Sequence, residues 1–284
     1  MENSDICIEL NQILRRYQRV LRLSKKLGQH IMRGCALASD FAKMLHKLKP
    51  DRVLEIGTGV GTLTLVLSRF SAHVVSIEID PKLAYIARRV LRNYHNAEIV
   101  LGDGLVFLRA SSVRADIVCS NPPFNLTGPL ISAIVKSSYN TALITLQKEV
   151  AEKLVSSPGT RNYGRLTAFV RTFMDVKLIN TYPPEEFLPE PEVHVSLVLL
   201  SRKRKWEGKW IPYEELIKCI FNQRRKLAYK VVRKCLENVL KLKLSERTEL
   251  SELRNMRVFS LDPELLVKIF NKYAAEVGIE NSEG

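Results

Sequence analysis

The sequence predicts an α/β fold, built on an open and mostly parallel sheet, followed by a small all-α domain. Short apolar runs of β type alternate with helical patterns up to about residue 200, and three successive runs end in glycine or an acidic residue. After the basic segment 201–210 only helical patterns remain. We therefore expect an α/β domain at 1–200 and a helical domain at 201–284.

The distribution of charge predicts a polyanionic partner. The 284 residues are 46% hydrophobic and 26% charged, as in an ordinary globular protein, and the net charge is +14. Seven basic and no acidic residues lie between Leu10 and Ser39, while twelve basic and three acidic residues lie between Arg202 and Lys234. Such clustering favours binding to a polyanion over a general effect on solubility.

Cysteine usage and the N-terminal residues predict a cytoplasmic protein. The five cysteines are widely spaced and include no C-x-x-C pair, so we expect reduced, mostly buried thiols and no structural zinc. The start of the chain lacks the pattern of a signal peptide, and no apolar run is long enough to span a membrane. We expect no membrane association and a monomer.

The first elements are helical. Apolar residues recur at helical spacing over residues 6–27, with arginines between them, and a second helical pattern ends at Pro50. Between the two lies a turn, in which Gln29 and His30 are either loop residues or ligands.

A glycine-rich turn then follows the first strand. Arg52–Ile56 is an apolar run, Gly57–Gly61 reads Gly-Thr-Gly-Val-Gly, and Thr62 begins a helical pattern. A strand, glycine turn and helix in this order are typical of a nucleotide-cofactor site. The G-x-G-x-G spacing favours S-adenosyl-L-methionine over NAD. The alternative is a tight turn without a ligand.

The next two strands end in acidic residues. The run 73–77 leads into Glu78, where an acidic side chain can bind the hydroxyls of a nucleoside ribose. No arginine immediately follows Glu78 to take a 2′-phosphate, which disfavours NADP. The run 98–101 leads into Gly102 and Asp103, and Asp103 can accept a hydrogen bond from an adenine amino group or can simply form a turn.

A fourth strand, 115–119, leads into Asn121-Pro122-Pro123-Phe124. The prolines fix the backbone and leave carbonyl groups free, so the asparagine amide and the Pro122 carbonyl suit a substrate amine. Phe124 offers a flat surface to a ring. The alternative is an asparagine that caps a turn and a phenylalanine that packs in the core.

The later elements are predicted more briefly. We expect helices at 130–136 and 147–155, a loop at 156–163, an ordered proline-rich loop near the site at 183–191, and strands at 141–146, 166–173 and 193–200. Residues 213–240 have one apolar and one basic face. A basic face is often only a solvated face, but Trp206, Trp210 and the preceding basic linker favour a phosphate-binding surface.

Seven stretches, in order, match the pattern of one protein family. They are Leu27–His30, Glu55–Thr64, Gly102-Asp103, Gln147–Leu154, Tyr163–Leu166, Phe187–Val193 and Phe221–Lys226. The chain resembles the ribosomal small-subunit RNA adenine dimethyltransferases, in their archaeal form, over nearly its full length. The glycine motif alone indicates a methyltransferase, whereas the Gln-Lys-Glu, Tyr-Gly-Arg-Leu and Phe-x-Pro-x-Pro patterns are more specific.

The resemblance implies a Rossmann-like class I methyltransferase fold, with one late antiparallel strand, and a helical domain that docks RNA. It implies transfer of methyl groups to N6 of two adjacent adenosines in a hairpin loop near the 3′ end of 16S rRNA, during small-subunit biogenesis. The partner is then 16S rRNA or a small-subunit precursor. The implied S-adenosyl-L-methionine site consists of His30, Met32, Gly57, Glu78, Asp103 and Asn121.

The implied chemistry is direct transfer without a metal. Asn121 and Pro122 would hold the N6 hydrogens, and Phe124 would stack on the base. The family usually has Asn-Leu/Ile-Pro-Tyr at this position, and the difference bears on the number of methyl groups added. Two other functions fit the motifs: a methyltransferase acting on DNA adenine or a glutamine side chain, and an rRNA-binding assembly factor that has lost catalysis.

Overall fold

The computed structural model describes residues 2–17, 30–244 and 250–279. Gln29 and the basic residues between 18 and 29 lie outside the described residues, as does the second half of the first predicted helix. The described helices are α1 Glu2–Tyr17, α2 Cys35–Leu48, α3 Thr62–Phe70, α4 Pro81–Val90, α5 Gly104–Ala110, α6 Thr127–Lys136, α7 Lys148–Val155, α8 Arg165–Phe173, α9 Trp210–Phe221, α10 Ala228–Leu240 and α11 Pro263–Ala275. The strands are β1 Ile31–Met32, β2 Arg52–Ile56, β3 His73–Glu78, β4 Ala97–Leu101, β5 Ile117–Ser120, β6 Thr141–Gln147, β7 Met174–Tyr182, β8 Phe187–Leu188 and β9 Val195–Arg202.

A seven-stranded sheet in the order β4-β3-β2-β5-β6-β9-β7 organises the α/β part of the chain. The pairs β2–β3, β3–β4, β2–β5 and β5–β6 are parallel, and β9 pairs antiparallel to β6. The predicted α/β class, with a mostly parallel sheet and a late antiparallel strand, is confirmed. Chain order reverses at β2, because β3 and β4 lie on one side of it and β5 lies on the other. Ligands of open α/β sheets bind at the carboxyl ends of strands at such a reversal.

The apolar faces of the helices bury the sheet. Phe41 and Leu45 of α2, Leu67 of α3 and Val53 of β2 belong to one buried cluster, and each is at most 1% exposed. A second, two-stranded sheet pairs β1 with β8, so that Met32 lies opposite Phe187. The proline-rich segment is thereby attached to the residues that follow His30.

One predicted strand is wrong. Residues 166–173 form helix α8, and the strand β7 follows it directly. Phe169, Val170 and Phe173 are buried residues of α8 at helical spacing, whereas β7 begins with the alternation of apolar and polar residues expected of a strand, over residues 174–178.

The expectation of reduced cysteines is wrong for four of the five. The structure joins Cys7 of α1 to Cys35 of α2, and Cys219 of α9 to Cys235 of α10, as disulfides. Their Cα atoms are 5.3 and 5.8 Å apart, a separation that sequence spacing does not reveal. Cys119 is a free thiol in β5, and burial raises its pKa well above the ordinary value.

The chain divides into two compact units, residues 1–151 with 176–202 and residues 152–175 with 203–284. The sequence predicts one boundary at residue 200, and that boundary stays a prediction. The contacts of the structure also group residues 152–175 with the C-terminal helices. Within the second unit, the predicted apolar face of 213–240 is buried in α9 and α10. Trp210 is 4% exposed and packs on Phe173 and Tyr213. It therefore belongs to the core of this unit and not to a phosphate-binding surface.

Candidate active site

A cleft of about 830 Å³, counted to its open mouth, lies at the carboxyl ends of β2, β3 and β5 in the first unit. Six of the predicted site residues line it: His30, Gly57, Glu78, Asp103, Asn121 and Pro122. These six residues come from five separate segments of the sequence, and the fold brings them to one cleft. Met32 and Phe124 are not among the lining residues.

The glycine turn after β2 forms the floor of the cleft. Gly57, Gly59 and Gly61 have φ angles of +86°, +57° and +90°, a region that favours glycine. A Cβ atom added at Gly57 or Gly59 would meet no heavy atom within 4 Å, so the backbone of the turn faces open space. The turn can therefore let a cofactor approach the backbone closely.

Glu78 fixes this turn from the end of β3. One carboxylate oxygen accepts from the Gly59 N–H at 2.7 Å, and the other accepts from the Asp80 N–H at 2.9 Å. Burial raises the pKa of Glu78, and the two backbone donors oppose that rise. Each oxygen keeps a further lone pair, so the side chain can accept from ribose hydroxyls.

Beneath the turn lies a buried network that was not predicted from the sequence. One oxygen of Glu55 accepts from the hydroxyls of Thr64 at 2.5 Å and Ser76 at 2.6 Å, and Ser76 in turn bonds the Thr58 hydroxyl. Glu55 is fully buried, and desolvation raises its pKa to about 8. The network ties the second residue of the glycine turn to β2 and β3.

Asp103 is a helix cap that also lines the cleft, and a contact with an adenine amino group stays a prediction. Its carboxylate accepts from the Leu105 N–H at 2.8 Å and so caps helix α5, while the residue also lines the cleft. Gly102 donates to the carbonyl of Glu78 at 2.9 Å. The ends of β3 and β4 are therefore held together next to the glycine turn.

Asn121 does not cap a turn. Its Nδ2 donates to the carbonyl of His30 at 2.7 Å, and its Oδ1 accepts from the hydroxyl of Thr145 in β6 at 2.6 Å. The His30 ring is fixed as well, because its Nδ1 donates to the carbonyl of Pro189 at 2.6 Å. Sequence reasoning missed Thr145, although a lone polar residue in the apolar run 142–146 was a possible signal.

The remaining two predicted residues pack outside the lining. Phe124 is partly buried against the core, and its ring lies 4.9 Å from the His30 ring at an interplanar angle of 34°. The Met32 side chain is fully buried in the core, while the neighbouring Ile31 lines the cleft. A role for Met32 in cofactor binding stays a prediction, and so does stacking of a base on Phe124.

Within residues 2–17, 30–244 and 250–279, no three or more His, Cys, Asp or Glu side chains are grouped as a metal site would require. In the same ranges, no helix combines the length and apolar character needed to cross a membrane.

Comparisons with known proteins agree on one family. A family profile described as "Ribosomal RNA adenine dimethylase" matches residues 20–275. The ribosomal RNA small subunit methyltransferase A of Thermotoga maritima is 34% identical over 254 residues, which cover 89% of this chain and 86% of that protein. The probable ribosomal RNA small subunit methyltransferase A of Methanothermobacter thermautotrophicus is 31% identical over 278 residues, 94% and 96% of the two chains.

A solved structure supports the same fold. A dimethyladenosine transferase from Plasmodium falciparum superposes with a TM-score of 0.72 at 22% identity, and the match covers 87% of this chain and 98% of that one.

Proposed function

Because the chain belongs to the ribosomal RNA adenine dimethylase family, we propose that it is an S-adenosyl-L-methionine-dependent rRNA (adenine-N6,N6-)-dimethyltransferase. Its substrate would be two adjacent adenosines in a hairpin loop near the 3′ end of 16S rRNA, in the small subunit or its precursor. The observation that carries the proposal is the Asn121 amide, which is fixed at the edge of the same cleft as the glycine turn and Glu78.

The cleft fits S-adenosyl-L-methionine through groups already in place. The open backbone at Gly57 and Gly59 would lie against the cofactor, Glu78 would accept from the ribose hydroxyls, and Asp103 would accept from the adenine amino group. The His30 and Asn121 segments would form the opposite side. When bound, the cofactor supplies an electrophilic methyl group on its sulfonium.

The residues of the chain would prepare the adenine nitrogen for attack. The N6 lone pair is conjugated into the ring, so N6 is a poor nucleophile until its geometry changes. The remaining lone pair of Asn121 Oδ1 and the carbonyl of Pro122 would accept the N6 hydrogens and aim the nitrogen. The base must be unpaired or turned out of its stack to enter the cleft, which a hairpin loop permits.

Exposed cations on the second unit would bind the phosphate backbone. Those on α9, α10 and the turn between them are Lys218, Arg225, Lys226, Lys230 and Lys234. Lysine and arginine contacts to phosphates release counterions, so binding through them weakens as salt rises.

Replacing Asn121 tests the proposal. We expect Asn121→Ala to lower methyl transfer to undermethylated small subunits at least about a hundredfold, the size of losing one positioned polar group in an active site. Transfer would be measured by mass spectrometry of rRNA nucleosides. Asn180→Ala removes an exposed asparagine of β7 outside the cleft and should keep wild-type activity.

The same assay identifies the other possible functions. Duplex DNA and protein would be offered to the wild type in place of small subunits. Preferential labelling of either would contradict the proposed substrate, and full rRNA methylation by Asn121→Ala would contradict the role of the amide. A wild type that binds rRNA but does not bind S-adenosyl-L-methionine in a titration would be an assembly factor instead.

A further inference from the structure

Two segments distant in the sequence set the orientation of the Asn121 carboxamide. The Nδ2 atom points to the backbone carbonyl of His30, 91 residues away, and the Oδ1 atom receives the hydroxyl of Thr145, 24 residues away. Both distances, 2.7 and 2.6 Å, are short for neutral hydrogen bonds. The amide therefore cannot rotate without breaking one of them.

The register of the sheet places Thr145 beside Asn121. Strands β5 and β6 are parallel, and their last pair is Ser120 with Ile144, so the next residue on each strand is Asn121 and Thr145. Thr145 is 2% exposed, and the other residues from 142 to 146 are apolar. A hydroxyl in such surroundings is costly unless it is hydrogen-bonded, and Asn121 Oδ1 is its acceptor.

The two contacts also distinguish the Nδ2 end of the amide from the Oδ1 end. A carbonyl only accepts, so the His30 oxygen selects the Nδ2 end, and Thr145 satisfies the Oδ1 end as a donor. One lone pair on Oδ1 remains unused by Thr145. If Thr145 were apolar, the Oδ1 end would lose the one side-chain donor that it has among the described residues, and the direction of this lone pair would depend on the His30 contact alone.

We propose that Thr145 is a positioning residue, which holds Asn121 Oδ1 as the acceptor for the N6 hydrogen of the substrate adenine. This inference rests on the proposed function, because it concerns the same nitrogen. Thr145 does not line the cleft and acts only through Asn121.

The role matters most for the second methyl group. The amino group of adenosine has two hydrogens, which Asn121 Oδ1 and the Pro122 carbonyl can hold together. Each transfer would form an N6–CH3 bond as the S–CH3 bond of the sulfonium breaks, and N6 would release one proton to water. After the first transfer a single N–H remains, so its acceptor, Asn121 Oδ1 in this proposal, has to aim the nitrogen alone. The second transfer therefore depends more strongly than the first on a fixed Oδ1.

The test compares Thr145→Val, Thr145→Ser and the wild type in single-turnover reactions on undermethylated small subunits. We expect Thr145→Val to slow the first transfer about tenfold, the size of one hydrogen bond, and the second transfer further, so that N6-methyladenosine accumulates. Thr145→Ser keeps the hydroxyl and should restore dimethylation. Affinity for S-adenosyl-L-methionine, measured by calorimetry, should stay at the wild-type value in both variants.

Thr127→Val is the matched control. Thr127 is also buried, and its hydroxyl has no hydrogen-bond partner among the described residues, so its removal should leave both transfers unchanged. A wild-type ratio of mono- to dimethylated product in Thr145→Val, or equal loss in the valine and serine variants, would overturn the positioning role. If the wild type itself transferred no methyl group to rRNA, the proposed function would be wrong and the positioning role with it.

Discussion

The two sides of the cleft are built differently. The donor wall consists of Gly57, Gly59, Glu78 and Asp103, and the hydrogen bonds of its side chains join residues that are 2 or 19 apart in the sequence. The acceptor wall consists of His30 and Asn121, which are held by Thr145 and Pro189 through contacts that span 24, 91 and 159 residues. The donor wall is formed by residues at the ends of neighbouring strands. The acceptor wall depends on contacts among four segments that are distant in the sequence.

This difference predicts how each wall responds to substitution. Changes in the donor wall should alter cofactor binding and the stability of the first unit, because the wall is continuous with the core of the sheet. Changes in the acceptor wall should alter the rate and the product, because its side chains are held by hydrogen bonds to Thr145 and to the backbone carbonyls of His30 and Pro189.

The largest expected effect concerns Glu55, beneath the donor wall. Burial raises the pKa of Glu55 in the folded state from the ordinary 4.5 to about 8. Between pH 4.5 and pH 8 the folded protein therefore keeps a proton on Glu55 that the unfolded chain has released. Its contribution to stability is thus fully present below pH 4.5 and is lost as pH rises toward 8. The loss approaches about 1.4 kcal/mol per pH unit.

Glu55→Gln should remove this loss. Thermal unfolding between pH 5 and 8 should show the wild type losing stability relative to Glu55→Gln as pH rises. Glu98→Gln, on an exposed residue of β4, should follow the wild type. Parallel curves for wild type and Glu55→Gln would show that Glu55 is ionised in the fold, and the network beneath the turn would need another explanation.

The second effect is on the donor wall itself. Glu78→Ala removes the acceptor for the Gly59 and Asp80 N–H groups and the proposed ribose contact. Hydrogen bonds to a charged group contribute about 1.5–3 kcal/mol, so affinity for S-adenosyl-L-methionine should fall by about 10- to 100-fold in calorimetry. Thr145→Val provides the comparison, since it should keep cofactor affinity and lose rate. Equal cofactor affinity in Glu78→Ala and the wild type would contradict the division into two walls.

The same comparison explains what the sequence could predict. Strand ends, glycine spacing and acidic residues are local signals, and they located Gly57, Glu78 and Asp103. Thr145 was missed because its partner is defined by the pairing of β5 with β6, which one sequence does not display. Met32 was assigned to the cofactor from resemblance, whereas its side chain packs in the core. Helix α8 was mistaken for a strand, because a short apolar run fits either structure.

The smallest expected effect tests whether the glycine turn is part of the stable core. Gly61 has a φ of +90°, and a Cβ there would lie 3.1 Å from the Leu91 side chain, so Gly61→Ala should destabilise the protein by about 1–2 kcal/mol through backbone strain. Gly128→Ala is the matched control, because Gly128 lies in α6 and a Cβ there meets nothing within 4 Å. That variant should be neutral or gain up to about 1 kcal/mol. Denaturant unfolding of both variants measures the difference, and a Gly61→Ala protein as stable as Gly128→Ala would mean that the turn yields without disturbing the sheet beneath it.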